Sequence, residues 1–384
     1  MNGTGATRSK RFESLDLWRG LLCLYIVIEH SSVMLWRGVG EAHGFEGLLR
    51  GWLVFPLTLN IGTPLFFVIS GYCVLSSIDS HRRRNVGAPS FICRRFTRIF
   101  PSYWAALLGF MVVVGGLDAL GLHGWHKNGL THELASPSEL TPAQWVGNLT
   151  LTETWRPHVA GEREHVFTRI AWSLCYQEQF YVVCFLVLLV FRRHFHKVLA
   201  GLTALILAFM VFAYDVGLHD EVMGFFPVRW HHFAAGLATY WYLNNTCAKV
   251  RAGLLAALLG LVGVSVVNGD AQSIAAGMFA LALIGTARWD ARLAGMRWAA
   301  PLKACGLRSY SIYLIHLPIA LIAINTLDVW GLQEFWTQAL VVVPLAVASV
   351  LAASWVFHEW VDTPMANATK ARGRAPARLV TSFS

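Results

Sequence analysis

Long apolar runs broken by short clusters of Lys and Arg leave this chain few ways to fold. A helix that crosses a bilayer needs about 20 mostly apolar residues, because each advances about 1.5 Å through a hydrocarbon core roughly 30 Å thick. About ten segments satisfy that rule, near 15–36, 53–78, 99–117, 170–191, 198–214, 229–247, 252–268, 271–287, 306–327 and 338–360. Over the 384 residues, 55% are hydrophobic and only 14% charged, whereas soluble domains carry about 25% charged residues. Disorder is excluded by the same composition. Seven cysteines without a C-x-x-C pair argue against a disulfide scaffold or zinc ribbon. Neither a G-x-G-x-x-G nor a P-loop pattern is present. The fold class predicted is an all-α polytopic membrane protein.

The formal charge of +9 is not spread evenly. Basic residues gather in alternate connections: Arg8, Lys10 and Arg11; Arg82 to Arg84; Arg192, Arg193 and Lys197; Lys249 and Arg251; Arg288, Arg292, Arg297 and Lys303; and Lys370 to Arg378. That distribution marks cytoplasmic loops rather than a nucleic-acid surface. It predicts an even number of spans with both termini cytoplasmic, in the plasma (inner) membrane. Residues 1–14 form a cytoplasmic segment, 15–365 the transmembrane domain and 366–384 a basic cytoplasmic tail. The first apolar run has no small-residue cleavage site and runs on into Trp36-Arg37, so no cleavable signal peptide is expected. One external loop, 118–169, is long enough to act as a lid over an acceptor. Its histidines, His123, His126, His132, His158 and His165, lack ligand spacing and read as solvated loop residues, so no metal site is expected. Thr141-Pro142 reads as the N-cap and first residue of a short helix. Asn148 and Asn244 lie in sequons that matter only in a secretory pathway.

Ionisable groups inside spans are costly and mark candidate sites. The first span carries Arg19, Glu29 and His30. Arg19 and His30 are eleven residues apart, hence on one helical face and separated by about 16 Å. Arg19 reads either as a snorkelling side chain or as a ligand contact; His30 reads either as a core histidine or as a base. In the second span Ser70-Gly71 permits close approach of a backbone or ligand. Arg95 and Arg98, three residues apart, share a face at the cytoplasmic mouth. Topology alone accounts for them, and so does an anionic cofactor whose phosphates fit guanidinium forks. Glu178 enters the fourth span from outside to about 10 Å, near the depth of His30, where the two form either an orienter–base pair or a structural one.

Five blocks in order resemble the acyltransferase type 3 family of integral membrane proteins. They are Leu15-Asp16 with Arg19-Gly20 and His30, Phe66 to Gly71, Arg95 to Tyr103, Trp172 to Tyr181, and Ser309 to His316 with Pro318. The resemblance spans about residues 10–365. It implies transfer of an acyl group, commonly acetyl, from cytoplasmic acyl-CoA to a hydroxyl on an acceptor across the membrane. It implies His30 as catalytic base, Arg19, Arg95 and Arg98 along the acyl-CoA side, and a tunnel shaped by Ser309–His316, placing Ser70, Tyr310 and His316 with the donor site. Two positions depart from the family pattern. Gln177 stands where an acid is usual, with Glu178 rotated about 100° away. Asp362-Thr363-Pro364 replaces E-x-P, with Glu359 just before it. Few residues follow the last span, so the chain resembles the members without an appended hydrolase-like domain.

The expected activity is therefore membrane O-acyltransfer, with Glu178 orienting His30. Acyl-CoA is a co-substrate and no cofactor is permanently bound. The acceptor class is an envelope glycan, glycolipid or other hydroxyl compound. A covalent acyl group on His30 or Ser70 is compatible with the same residues. The alternative is a secondary transporter or exporter, whose signature is two halves with matching broken helices; no internal repeat of that kind is seen.

Overall fold

A computed structural model of the chain describes residues 12–40, 42–126, 134–218 and 220–372. Arg8, Lys10 and Arg11, His132 of the external loop and the basic tail beyond Arg372 lie outside the described residues. Every regular element among those described is helical. The long helices are α1 (Leu15–Ser31), α2 (Gly62–Arg83), α3 (Ala88–Ala119), α4 (Ala171–Val190), α5 (Phe195–Asp215), α6 (Pro227–Asn244), α7 (Ala248–Val267), α8 (Ala271–Thr286), α9 (Ser309–Val329) and α10 (Val343–Phe357). Among the described residues, eight helical segments are long and apolar enough to cross a membrane, and α1 and α6 are not among them. α1, with 17 residues, is too short to count and also carries Asp16, Arg19 and Glu29, while α6, with 18, is made less apolar by Arg229, His231 and His232.

Several boundaries differ from those expected. The first span was expected to reach residue 36 but α1 stops at Ser31, ahead of a separate helix Leu35–Val39. The second was expected from residue 53; instead a helix Gly44–Val54 ends in a tight turn, Phe55–Thr58, containing Pro56. Asn60 follows with φ of 49°, a left-handed residue that interrupts the helical backbone before α2. The third span was expected from residue 99, whereas α3 begins at Ala88 and holds Arg94, Arg95 and Arg98 within the helix. A rule that stops at charges misses a helix that starts before the apolar stretch. At the C-terminal end two π-turns, Gln338–Val342 and His358–Asp362, flank α10. Each stands just before a proline, Pro344 or Pro364, which has no N–H to continue the regular ladder.

The basic connections meet at one end of the bundle. Arg192 donates to Asn85 Oδ1 at 2.9 Å, and the backbone N–H groups of Glu13 and Ser14 reach the Asp290 carboxylate at 2.7 and 2.8 Å. At the other end the acidic loops join: Thr154 and Tyr176 bond Gly224, and Asn325 donates to the Trp125 carbonyl. There the Thr141-Pro142 pair starts the helix Pro142–Thr150 as expected, with a capping box: Thr141 Oγ1 accepts from Gln144 N at 3.2 Å, and Gln144 Oε1 from Thr141 N at 2.9 Å. Asn148 is buried and donates to the Gln144 and His165 carbonyls while accepting from Phe167 N, so this sequon's amide is committed within the fold.

Two helix contacts depend on missing side chains. A Cβ on Gly20 would sit 1.8 Å from the Leu302 carbonyl oxygen, and one on Gly306 1.7 Å from that of Asp16. Likewise a Cβ on Gly71 would meet the Phe233 oxygen at 2.2 Å, and one on Gly236 the Val68 oxygen at 2.0 Å. Within a membrane, such small-residue contacts let backbones pack closely where no hydrophobic drive exists. Gly71→Val is therefore expected to force α2 and α6 apart and destabilise the fold by about 1–3 kcal/mol. A thermal melt of detergent-purified protein checks this; an unshifted midpoint would show that the contact is loose.

Candidate functional site

Three arginines from two helices converge. Arg19 leaves α1 and donates to Asp16 Oδ1 at 3.4 Å and to Cys73 Sγ of α2 at 3.2 Å. Arg95 and Arg98 leave α3, and Arg98 lies within electrostatic range of Arg19, Arg95, Tyr181 and Cys73. The Arg95 guanidinium sits over the Tyr181 ring of α4, 4.9 Å from its centroid, and 5.6 Å from that of Phe91. Asp16 pairs only with Arg19, and no ion pair holds Arg95 or Arg98 among the described residues. Arg98 is exposed while Arg19 and Arg95 are half-buried, so the cluster runs from the surface inward among α1, α2, α3 and α4. Arg95 and Arg98, which have no ion pair among the described residues, suit a multiply charged anion together with Arg19, because guanidinium forks match phosphate oxygens.

Next to the arginines lies a neutral relay. Gln177 Nε2 donates to Ser70 Oγ at 3.3 Å and, in a short contact, to the Tyr181 hydroxyl. Gln177, the residue that departs from the expected acid, thus links α2 and α4. Glu178, one position on, lies within electrostatic range of Arg95, and its Oε1 has no hydrogen-bond partner among the described residues. The neighbours that define Glu178 are therefore Arg95, Tyr181 and Tyr310. Tyr310 donates to the Ile99 carbonyl at 2.6 Å, tying α9 to α3.

His30, near the end of α1, is half-buried, and its ring centroid is 5.2 Å from that of buried His316 of α9, with the planes tilted by 38°. His316 Nδ1 faces the carbonyl oxygens of Tyr313 and Ile312 at 2.8 and 3.1 Å. Both are acceptors, so Nδ1 carries the hydrogen and Nε2 keeps its lone pair. That Nε2 is buried with no hydrogen-bond partner among the described residues. α9 is held in place from below by Asp362, whose Oδ1 accepts from Ser102 at 2.7 Å and Oδ2 from Ser311 at 3.0 Å. The aspartate that replaces the usual glutamate near the C-terminus therefore ties α3, α9 and the last π-turn together.

A family model described as an acyltransferase domain, that of the acyltransferase type 3 family, matches residues 12–359. The chain belongs to the acyltransferase type 3 family. No curated relative and no solved structure matches it. The match takes in Arg19, His30, Ser70, Arg95, Arg98, Glu178, Tyr310 and His316, while Asp362 falls just beyond it. With eight helices able to cross a membrane, this acyltransferase is a multi-pass membrane protein.

The acyltransferase also holds a polar cluster that sequence reading passed over. Ser273 Oγ lies 2.8 Å from His231 Nε2 and 3.2 Å from His232 Nε2, and donates to Asp270 at 2.5 Å. Arg229 donates to Gln272 at 3.0 Å and stands over the Trp172 ring. The signal was present as Arg229, His231 and His232 within one expected span, three ionisable groups where apolar residues belong.

Proposed function

We propose that the protein is a membrane O-acyltransferase that moves an acetyl group from cytoplasmic acetyl-CoA to a hydroxyl of an envelope carbohydrate or glycolipid. The reading rests on the family and on one juxtaposition: three clustered arginines, of which Arg95 and Arg98 have no ion pair among the described residues, with a half-buried histidine farther along the same α1 face. Arg19, Arg95 and Arg98 hold the phosphates of the donor, and its pantetheine arm reaches past Ser70 and Tyr310 toward His30. His30 takes the proton from the acceptor hydroxyl, whose oxygen attacks the thioester carbonyl. The carbon–sulfur bond breaks and the departing thiolate collects a proton, giving acyl ester and free CoA. His316, with its fixed tautomer, positions the His30 ring, and Glu178 balances Arg95.

In this reading all ten long helices cross the plasma membrane, α1 and α6 included, because their polar side chains face the bundle and not lipid. Both termini are then cytoplasmic. Reporter fusions after Asn85 and Arg193 are expected to read cytoplasmic; an external signal at Asn85 would invert the topology. The activity is tested by offering labelled acetyl-CoA to purified protein with extracted envelope glycans and following free CoA together with the mass of the glycans. Acetylated glycan and stoichiometric CoA support transfer, whereas vectorial movement of a solute without CoA release would identify a transporter.

A further inference from the structure

At the outer-loop end of the bundle the fold draws together three residues that the sequence leaves scattered. Asp118 lies in the last turn of α3, His123 in the turn that follows, and His126 just after it. Asp118 Oδ1 is 2.8 Å from His123 Nδ1 and 2.7 Å from His126 Nε2, and one donor atom from each residue lies within 4.8 Å of the others. We propose that Asp118, His123 and His126 form a binding site for a divalent transition metal, zinc foremost.

The hydrogen-bond arithmetic around His126 carries the argument. This imidazole is fully buried, and its Nδ1 faces the Leu134 carbonyl at 2.9 Å. A neutral imidazole has one N–H, and that carbonyl takes it. The Nε2 lone pair is then aimed at a carboxylate oxygen, which His123 approaches from another side. The His123 contact is met by an ordinary N–H donated from Nδ1, but the buried His126 Nε2 lone pair against a carboxylate oxygen calls for a proton or a metal ion between them. Histidine nitrogens and a carboxylate are the donor set zinc accepts, at about 2.0–2.2 Å from each atom. Donors around such an ion stand about 3.3 Å apart, so small side-chain rotations open the cluster to size.

The surroundings are those of a supported metal site. The Leu134 carbonyl fixes the His126 ring, and the Ser136 hydroxyl bonds the Asp118 carboxylate. Ligands of metals are oriented by partners of this kind. The C-terminal end of α3, the negative end of its helix dipole, adds a field that favours a cation. Three protein ligands leave the fourth position open to water or a further ligand. The site would act as a clip: Trp125, between the two histidines, accepts from Asn325 of α9 at 3.1 Å. Metal binding thereby ties the loop after α3 to the outer part of the helix that carries His316.

The test uses full-length, tag-free protein in detergent, stripped with a chelator and titrated with Zn²⁺ against a fluorescent zinc competitor. One equivalent is expected to bind wild type. His123→Ala and Asp118→Asn should weaken that site by at least about 10-fold, since even outer partners of metal ligands are worth about 10–100-fold. His123 decides the matter, because its side chain is 61% exposed and its loss leaves the core intact. Zinc should also raise the thermal midpoint of wild type but not of His123→Ala, as any ligand of the folded state alone must. Absence of a zinc equivalent in wild type would show that a shared proton alone holds the cluster. Equal binding by His123→Ala and wild type would place the metal on other histidines. Either result overturns the proposal.

Discussion

His30→Ala should leave a folded, membrane-inserted protein whose acyl transfer falls by about 10²–10⁴-fold, the usual worth of a general base. The expectation comes from position. His30 lies on the same α1 face as Arg19, about 16 Å farther along the helix, so in the proposed reading it is beyond reach of the donor's phosphates but within reach of its thioester. Its ring stands 5.2 Å from that of His316, whose own Nδ1 is committed to backbone carbonyls. His316 is thus placed to fix geometry, and His316→Ala should lower kcat with little change in the KM for acyl-CoA. The measurement is steady-state CoA release by detergent-purified variants that elute as wild type on gel filtration. Near-normal turnover of His30→Ala would remove it as the base. Equal and complete loss in both variants would assign the proton transfer to the pair.

The arginines should separate donor binding from chemistry. Arg95→Ala or Arg98→Ala is expected to raise the KM for acyl-CoA by about 10–100-fold, the value of one or two charge-assisted hydrogen bonds. Turnover at saturation should change far less, because the interaction is equally present in ground and transition states. Arg95 is the more constrained of the two, held over the Tyr181 ring at 4.9 Å. Lys at either position should restore part of the affinity, since it keeps charge but loses the planar fork. Equilibrium binding of acyl-CoA to correctly inserted Arg95→Ala and Arg98→Ala protein is the check. Wild-type affinity in both would reduce these residues to topology signals.

Much of the architecture was legible without coordinates. Apolar runs long enough to span a bilayer admit only helices when the backbone has no water to bond, and the Lys and Arg clusters sorted their connections into two sets. Thr141-Pro142 announced a capped helix because the cap is local chemistry. His30 and Arg19 stood out because charge inside a span is costly wherever the helix is later packed, and Arg95 and Arg98 because residues three apart share a helical face at the expected cytoplasmic mouth. None of this says which faces meet. Helical periodicity assigns each residue to a side of its own helix, but the partner of that side comes from elsewhere in the chain. Gln177 against Ser70, Glu178 beside Arg95, and His30 against His316 were therefore decided only by packing. The same holds for Asp362, which bonds Ser102 and Ser311 from two other helices. The start of α3 at Ala88 escaped because charged residues are tolerated in a helix whose first turns extend outside the apolar layer. Asp118, His123 and His126 have no regular ligand spacing. Their convergence comes from a helix end, a tight turn and the Leu134 carbonyl acting together, and only the folded chain brings those three into one place.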